Sequence, residues 1–216
     1  MTIEEVQRFV GNGEGQYVEF KFRVPEPARL AKEVIAFANS QGGRVFIGVG
    51  DDGKIVGVKD ASEEEFVLKE ALDLYCRPQI VWSSERVYVS SKRDLIVVTV
   101  PPSIRKPHFL VVNEEDGSGP AYVRVQDMSI EASPESVQLM QSEHLADGVQ
   151  FEFGEKELLL MRYLESYSKV TVAGFAQIAN ISESDAGKLL VVLTRAGVID
   201  QYREPRGDYY MIAFRE

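Results

Sequence analysis

Residues 14–23 read EGQYVEFKFR, and residues 36–58 read AFANSQGGRVFIGVGDDGKIVGV. The first stretch predicts a strand over residues 17–22, because its apolar and polar side chains alternate with the period of a sheet. Glu19 and Lys21 are two positions apart and therefore share one face of that strand. Glu14 precedes the strand in a glycine-flanked turn, which allows its carboxylate to fold back towards Glu19. We therefore expect two carboxylates and a lysine to lie together.

The rest of the first 130 residues predicts an α+β fold. A helix is expected over residues 27–38, with proline in its first turn and apolar residues at helical spacing. Strands are expected over 44–49 and 54–58, joined by a tight turn in which Asp52-Gly53 supplies the positive φ that hairpins need. A further helix is expected over 62–76, with later strands over 87–90, 95–100, 109–112 and 121–125. These elements predict a mixed sheet with flanking helices.

The sequence Asn39-Ser40-Gln41-Gly42-Gly43 lies between the helix and the next strand and has two interpretations. The glycines would allow the backbone to approach a phosphate closely. Alternatively, Gly42 and Gly43 end the helix in the left-handed conformation while Asn39 and Ser40 satisfy loose carbonyl groups, and this second interpretation is the favoured one. A phosphate-binding P-loop is excluded, because no G-x4-G-K-[ST] sequence is present.

A helix is expected over residues 133–145, and Asp147-Gly148 is the expected linker. After residue 150 the pattern of the sequence changes. Three helices follow, over 155–167, 171–179 and 182–196, and then a hairpin with its turn at 204–208. This order predicts a winged helix with the hairpin as the wing. We therefore expect two domains, residues 1–147 and 148–216.

The composition is that of a soluble globular protein, with 44% hydrophobic and 27% charged residues. No apolar run approaches the roughly 18 residues that a membrane span requires, and the first residues do not resemble a signal peptide. We therefore expect a cytoplasmic protein with no membrane partner. The formal net charge of −10 argues against nucleic-acid binding, although a local basic patch can bind within an acidic whole.

The cysteine and histidine residues give no sign of a metal site. Cys76 is the only cysteine and ends an apolar segment, so a buried structural thiol is expected. His108 and His144 are far apart and have no ligand spacing, and we expect both to be ordinary surface or loop residues.

Four sequence motifs occur in the order that one family shows. They are E-x4-E-F-K at residues 14–21, A-F-A-N-S-x-G-G at 36–43, I-G-V-x-D-D-G at 47–53 and Y-V-R at 122–124. With them, the segment over roughly residues 10–130 resembles the Schlafen-type AlbA-like domain. This module occurs in bacterial regulators as a presumed DNA-binding domain and forms the nuclease core of Schlafen proteins.

The resemblance implies a site made of three carboxylates. Glu14 and Glu19 match two glutamates of the Schlafen nucleases, and Asp51 is the expected third carboxylate. Because Gly50 stands where many relatives have the first acidic residue, Asp52 is the alternative. Such a cluster would bind Mn²⁺ or Mg²⁺ and activate water for phosphodiester cleavage, with Lys21 contacting a phosphate. Without that chemistry, Glu14 and Glu19 would be solvated or paired with Lys21 and Arg23.

Basic residues that could form a nucleic-acid surface are spread over both domains. In the first domain the preferred phosphate contacts are Arg105, Lys106 and Arg124, and the wider set is Lys21, Arg23, Arg29, Lys32, Arg44, Lys92 and Arg93. In the second domain the third helix, the usual major-groove reader, carries Lys188, and the wing carries Arg203 and Arg206. That helix begins with Ser182-Glu183-Ser184-Asp185, which is unfavourable for contact with DNA.

Three functions are compatible with these features. The leading hypothesis is a nucleic-acid-binding protein acting as a DNA-binding transcriptional regulator and forming a homo-oligomer, most simply a dimer. The second is a metal-dependent endoribonuclease that uses Glu14, Glu19 and Asp51, with Mn²⁺ or Mg²⁺ as its cofactor. The third is an oligomeric protein-interaction module.

Overall fold

The structure, a computed structural model, describes residues 1–113, 115–143 and 152–214. The chain divides into two compact units between Glu131 and Ala132. The first unit contains the elements α1 (Ile3–Asn12), β1 (Val18–Lys21), α2 (Pro27–Asn39), β2 (Gly43–Ile47), α3 (Ala61–Tyr75), β3 (Cys76–Arg77), β4 (Ser83–Ser90), β5 (Arg93–Val100), β6 (Phe109–Leu110), β7 (Tyr122–Val125) and β8 (Met128–Glu131).

The first unit is built on a mixed four-stranded sheet in the order β1-β2-β5-β4, as the sequence predicts. β1 and β2 are parallel, whereas β2 pairs antiparallel with β5 and β5 with β4. Alternate residues of β2 enter two different cores. Val45 and Ile47 pack with α2 and α3, and Phe46 packs with α1 on the opposite face. The sheet therefore separates two environments, and this separation decides where the site residues lie.

The strand expected over residues 54–58 is wrong. The chain turns at Gly50–Gly53 as predicted, but afterwards it makes only the isolated bridges Val49 to Ile55 and Val58 to Asp94. β2 is already paired with β1 on one side and β5 on the other, so no free edge remains for another strand. Gly48 and Gly57 cross closely instead. A Cβ on Gly48 would lie 2.8 Å from the Cα atom of Gly57, and both residues have positive φ.

The second unit contains four helices and one hairpin among its described residues. They are α4 (Pro134–Ser142), α5 (Glu155–Tyr167), α6 (Val172–Ala179), α7 (Glu183–Arg195), β9 (Ile199–Tyr202) and β10 (Tyr209–Ile212). Phe175, Leu190 and Tyr210 are fully buried in their shared core. The three helices and the hairpin lie where the sequence places them, and their assignment as a winged helix stays a prediction.

The division between the units comes earlier than the 147/148 boundary expected from the sequence, because α4 packs on α7. A Cβ on Gly187 of α7 would collide with the Glu135 carboxylate of α4. The Ser136 hydroxyl lies 3.1 Å from Gln201 Oε1 and 3.0 Å from Asp208 Oδ2, which ties α4 to the hairpin. The expected linker, Asp147-Gly148, and His144 lie outside the described residues.

Candidate nucleic-acid interface

Arg124 is the centre of a buried polar network. Its side chain is fully buried and donates hydrogen bonds to Glu19 Oε2 at 2.7 Å and to Glu33 Oε2 at 3.0 Å. Further N–H groups reach the carbonyl oxygens of Gly15 and Val18 at 3.1 to 3.2 Å. The guanidinium carbon also lies 4.9 Å from the centre of the Phe37 ring. Three of the four sequence motifs therefore meet at one side chain.

The prediction that Arg124 contacts a phosphate is wrong. All of its N–H groups point to protein oxygens, and none of its side-chain surface is exposed. A buried guanidinium is stable only when carboxylates neutralise it and acceptors satisfy its donors. Glu19 and Glu33 do this here. The Y-V-R motif therefore serves to assemble the first unit.

Asn39 and Ser40 also join distant segments and do not cap their own helix. The Asn39 amide donates to the carbonyl oxygens of His108 and Tyr122, both at 2.9 Å, and its Oδ1 accepts from the His108 N–H at 2.7 Å. The Ser40 hydroxyl accepts from the Arg124 N–H at 2.8 Å. Gly42 has φ +77° and its N–H donates to the Phe37 carbonyl, which confirms Gly42 as part of the predicted cap, whereas Gly43 begins β2 and has no positive φ.

The three predicted carboxylates do not form one cluster. Glu19 pairs in register with Val45 and is buried on the α2 side of the sheet, where it contacts Arg124 and Lys21. Glu14 accepts from the Phe20 N–H at 2.8 Å and lines a cavity of about 440 Å³ with Asp51 and Val10 of α1. Within residues 1–113, 115–143 and 152–214, no three His, Cys, Asp or Glu side chains are close enough to hold a metal ion. Among the described residues, therefore, Glu14, Glu19 and Asp51 are not brought together as the resemblance implies.

The alternative third carboxylate, Asp52, lies in the exposed turn. It forms an ion pair with Lys54, and hydrogen bonds from that residue hold the pKa of Asp52 below its ordinary value. This local pair explains why an acidic residue stands in the turn without reference to a metal.

Lys21 and Arg23 are two positions apart in the sequence, but their side chains lie in different environments. Lys21 is mostly buried and paired with Glu19, so it neutralises that carboxylate. Arg23 is exposed and lines a cavity of about 420 Å³ with Lys59, Arg93 and the half-exposed ring of Phe22. We call this place the Arg23 cavity.

Acidic residues also line the Arg23 cavity, but two of their carboxylates already have partners. Asp60 accepts from the Ser62 and Glu63 N–H groups at the start of α3, both at 3.0 Å. Glu64 accepts from the Val24 N–H at 2.8 Å. Glu63 is exposed and lines the same cavity. Arg23 and Lys59, both exposed near the Phe22 ring, are therefore available to an anionic ligand.

Arg105 and Lys106 lie in a loop that a buried histidine supports. Arg105 is exposed, Lys106 is half-buried, and the adjacent Ile104 is 81% exposed. Of the two expectations for His108, a surface or a loop residue, the loop position is confirmed and the surface position is wrong, because the residue is fully buried. Its Nδ1 lies 2.7 Å from the Pro78 carbonyl and its Nε2 lies 2.6 Å from the Ser103 hydroxyl. Since a carbonyl can only accept, Nδ1 carries the proton of a neutral ring.

We expect the free energy of unfolding to fall as the pH is lowered below about 6.5. Burial lowers the pKa of His108 from its ordinary value of 6.5, and its effect outweighs that of the hydrogen bond to Pro78, which acts in the opposite direction. Between the two pKa values, therefore, His108 binds a proton in the unfolded chain and not in the folded chain. The contribution of His108 to the free energy of unfolding is complete above about pH 6.5. It is lost as the pH falls towards the lower pKa of the folded state, with a slope of at most about 1.4 kcal/mol per pH unit.

Urea unfolding of the wild type and His108→Gln between about pH 5 and about pH 8 measures this contribution. The difference between the two proteins removes the effect of carboxylates that titrate in both. The same pH dependence in both proteins would contradict the expected role of His108.

The predicted basic residues of the second unit also differ in environment. Lys188 is exposed and lies 3.8 Å from Asp185 on α7. Arg203 is half-buried, and its Nε donates to the Ser136 hydroxyl at 3.1 Å. Arg206 is exposed at the turn between β9 and β10. Of the three, Arg206 is best placed to meet a ligand of the second unit.

Comparison with known proteins identifies the first unit. Residues 14–133, more than half of the chain, match the family described as Schlafen, AlbA_2. The chain belongs to the Schlafen AlbA_2 family. The match begins at Glu14 and extends two residues past the end of β8, so it covers all four motifs. No curated protein matches the chain significantly.

Two solved structures resemble this Schlafen AlbA_2 protein only distantly. The DIP2311 protein from Corynebacterium diphtheriae has 16% identity and a TM-score of 0.44 over 91% of this chain, which spans 34% of that protein's chain. The N-terminal domain of a RecG-related protein from Nitrosomonas europaea, named for an ATP-dependent DNA helicase, has 18% identity and a TM-score of 0.42. That match covers 71% of this chain and 99% of the other.

The sequence analysis missed two residues that matter for this Schlafen AlbA_2 domain, Glu33 and Lys59. Glu33 is the second carboxylate on Arg124, and its Oε2 also accepts from the Ser129 hydroxyl. Lys59 was not among the basic residues considered, although it lines the Arg23 cavity. Glu33 lies on the polar face of the predicted helix, one turn from Leu30, and no local pattern distinguishes it from a solvated glutamate. Among the described residues, no helix has the length and apolar character needed to cross a membrane.

Proposed function

We propose that this Schlafen AlbA_2 protein binds nucleic acid, with the Arg23 cavity as the principal contact of its first unit. The observation that supports this most directly is the combination of exposed Arg23 and Lys59 with the 53% exposed ring of Phe22. Proteins that bind nucleic acid combine cations for the backbone with aromatic rings on which bases stack. An acidic protein can bind nucleic acid in this way, because a phosphate is attracted by charges within about 10 Å. Salt screens the more distant negative charges of the protein.

The cavity favours binding over cleavage. Arg23 and Lys59 supply positive charge, Arg93 is held by the Gly57 carbonyl at 2.8 Å, and Glu19 neutralises Lys21 on the other side of the network. Of the carboxylates that the nuclease hypothesis requires, Glu14 and Asp51 line one cavity, whereas Glu19 is buried and paired with Lys21 and Arg124. The finer proposal is a DNA-binding transcriptional regulator that acts as a cytoplasmic dimer, in which Arg206 of the second unit adds a phosphate contact.

We expect Arg23→Gln combined with Lys59→Gln to weaken binding about tenfold or more at low salt. Each lost phosphate contact lowers the slope of log K against log salt by about 0.9 on duplex DNA, so this double variant should lose nearly two units. Fluorescence anisotropy with labelled duplex DNA, single-stranded DNA and hairpin RNA over a salt series measures both quantities. Phe22→Ala should weaken single-stranded ligands more than duplex DNA, because only unpaired bases stack on a side chain.

The control for charge is Lys92→Gln, which removes an exposed lysine in the turn between β4 and β5. Equal binding by the double variant and this control would refute the Arg23 cavity as the contact. Competition with unlabelled random duplex tests the finer proposal, because a regulator should prefer one duplex sequence by about 10³ or more. Sedimentation equilibrium of the full chain tests the dimer.

A further inference from the structure

A second cationic cavity lies between α1 and the start of β2. It has a volume of about 340 Å³ and is lined by Met1, Glu5, Arg8, Phe9, Asn12 and Arg44. Arg8 and Asn12 are four residues apart on α1, so they lie on the same helix face. Arg44 reaches the cavity from β2. Two guanidinium groups and one side-chain amide therefore meet in a space large enough for a small ligand.

Arg44 lacks the partner that a buried arginine normally has. Its Nε is buried and makes no hydrogen bond to any described residue, and no ion pair between described residues includes Arg44. The guanidinium carbon lies 5.3 Å from the centre of the Phe9 ring, which orients the planar group. Arg124 in the same unit shows the contrast, because two carboxylates and two carbonyls satisfy it. Among the described residues, therefore, no carboxylate neutralises the guanidinium of Arg44, so its charge is available to an anion in the cavity.

The charge of this cavity favours an anion. Among the described residues, Glu5 is the only acidic one that lines it, and the Glu5 carboxylate accepts from the Thr2 N–H at 2.7 Å in the capping box of α1. Arg8 is exposed and Arg44 is partly buried, so a ligand meets one solvated and one desolvated cation. The planar fork of a guanidinium matches the oxygens of a phosphate and donates two parallel hydrogen bonds to it.

We propose that Arg8, Asn12 and Arg44 form a phosphate-binding site that accepts a backbone phosphate of a bound nucleic acid. This inference rests on the proposed function, since the ligand is the same polymer. Arg44 pairs in register with Val18 at the start of β1, and the Arg23 cavity lies just after the end of that strand. Five residues of strand span about 17 Å, which corresponds to roughly five base-pair steps of duplex. Along the direction of β1, the two sites are therefore about five phosphates of one strand apart.

The experiment uses the full chain and two readouts. The first is nucleic-acid anisotropy over a salt series for the wild type, Arg44→Gln, Arg44→Lys and the charge control Lys92→Gln. Arg44→Gln should bind about tenfold more weakly and lose about one unit of salt slope on duplex DNA. Arg44→Lys should keep most of the slope but lose affinity, because a lysine keeps the charge without the fork. Arg44→Gln should remain folded, since the described contact that it loses is the one with the Phe9 ring.

The second readout is the melting temperature with inorganic phosphate, compared with chloride at the same ionic strength. Phosphate should raise the melting temperature of the wild type and not that of Arg44→Gln. If nucleic acid binds the wild type and Arg44→Gln equally, this site is overturned and the proposed function stands. If phosphate protects the wild type but no nucleic acid binds, the proposed function fails and the backbone ligand with it, leaving free phosphate as the source. The absence of both effects would overturn the site and the function together.

Discussion

Glu19→Ala is expected to lower the free energy of unfolding by roughly 3–5 kcal/mol, which is the usual cost of removing one partner from a buried ion pair. Glu19 is 5% exposed and contacts both Arg124 and Lys21. Its loss leaves Arg124, whose side chain is completely buried, with a single carboxylate. A charge that cannot reach water and has lost half of its neutralising partners destabilises the folded state.

The matched control is Glu14→Ala, which removes the other glutamate of the same sequence motif. Glu14 is exposed and its described contact is the hydrogen bond from the Phe20 N–H, so its removal should cost about 1 kcal/mol or less. Urea unfolding followed by circular dichroism measures both variants. A nuclease site would predict the reverse pattern, in which both variants fold normally and lose cleavage to the same degree. Equal stability of the two variants would contradict the network described here.

Asn39→Ala is expected to destabilise the protein by roughly 3 kcal/mol, because it leaves several buried backbone groups without a partner. Asn39 is 1% exposed, and one amide group joins the His108 N–H and carbonyl to the Tyr122 carbonyl. Hydrogen exchange should also increase in residues 102–108, since Asn39 fixes the backbone at the end of that loop.

Asn12→Ala is the control for this second prediction. Asn12 is exposed at the last position of α1, where a substitution should change stability by about 0.5 kcal/mol or less. Urea unfolding and hydrogen exchange are measured on both variants. The prediction would be contradicted if Asn39→Ala lowered the free energy of unfolding by less than about 1 kcal/mol and left hydrogen exchange in the loop unchanged.

The helices were the most predictable part of the fold. α5 (Glu155–Tyr167) has the bounds that the sequence predicts, and α7 begins after its Ser182 cap. Such elements are local, because spacing of apolar residues and capping groups lie within one short segment. The segment over 54–58 has an equally local strand pattern, and it failed because β2 already has a neighbour on each side. Whether a strand finds an edge is a property of the whole sheet.

The candidate site divides in the same way. The family motifs identified the first unit, and Arg23 was among the basic residues that the sequence offered as nucleic-acid contacts. The roles of Glu19 and Arg124 could not be predicted, since residues 105 positions apart form that pair. Sequence alone gives the type of charge at each position and not its neighbour. In the same way, the sequence does not give the neighbours of Arg44.

The sequence by itself determined the α+β class, the order of the elements and membership of the Schlafen AlbA_2 family, because periodicity, caps and motifs are written within short segments. Only the tertiary structure decided which charges are available. It buried Arg124 against Glu19 and Glu33, left Glu14 exposed in a cavity that Asp51 also lines, and left Arg23 and Arg44 facing other cavities. The physical reason is that burial and distance between charges depend on packing of segments far apart in the chain, and these two quantities set the energy of every charged group.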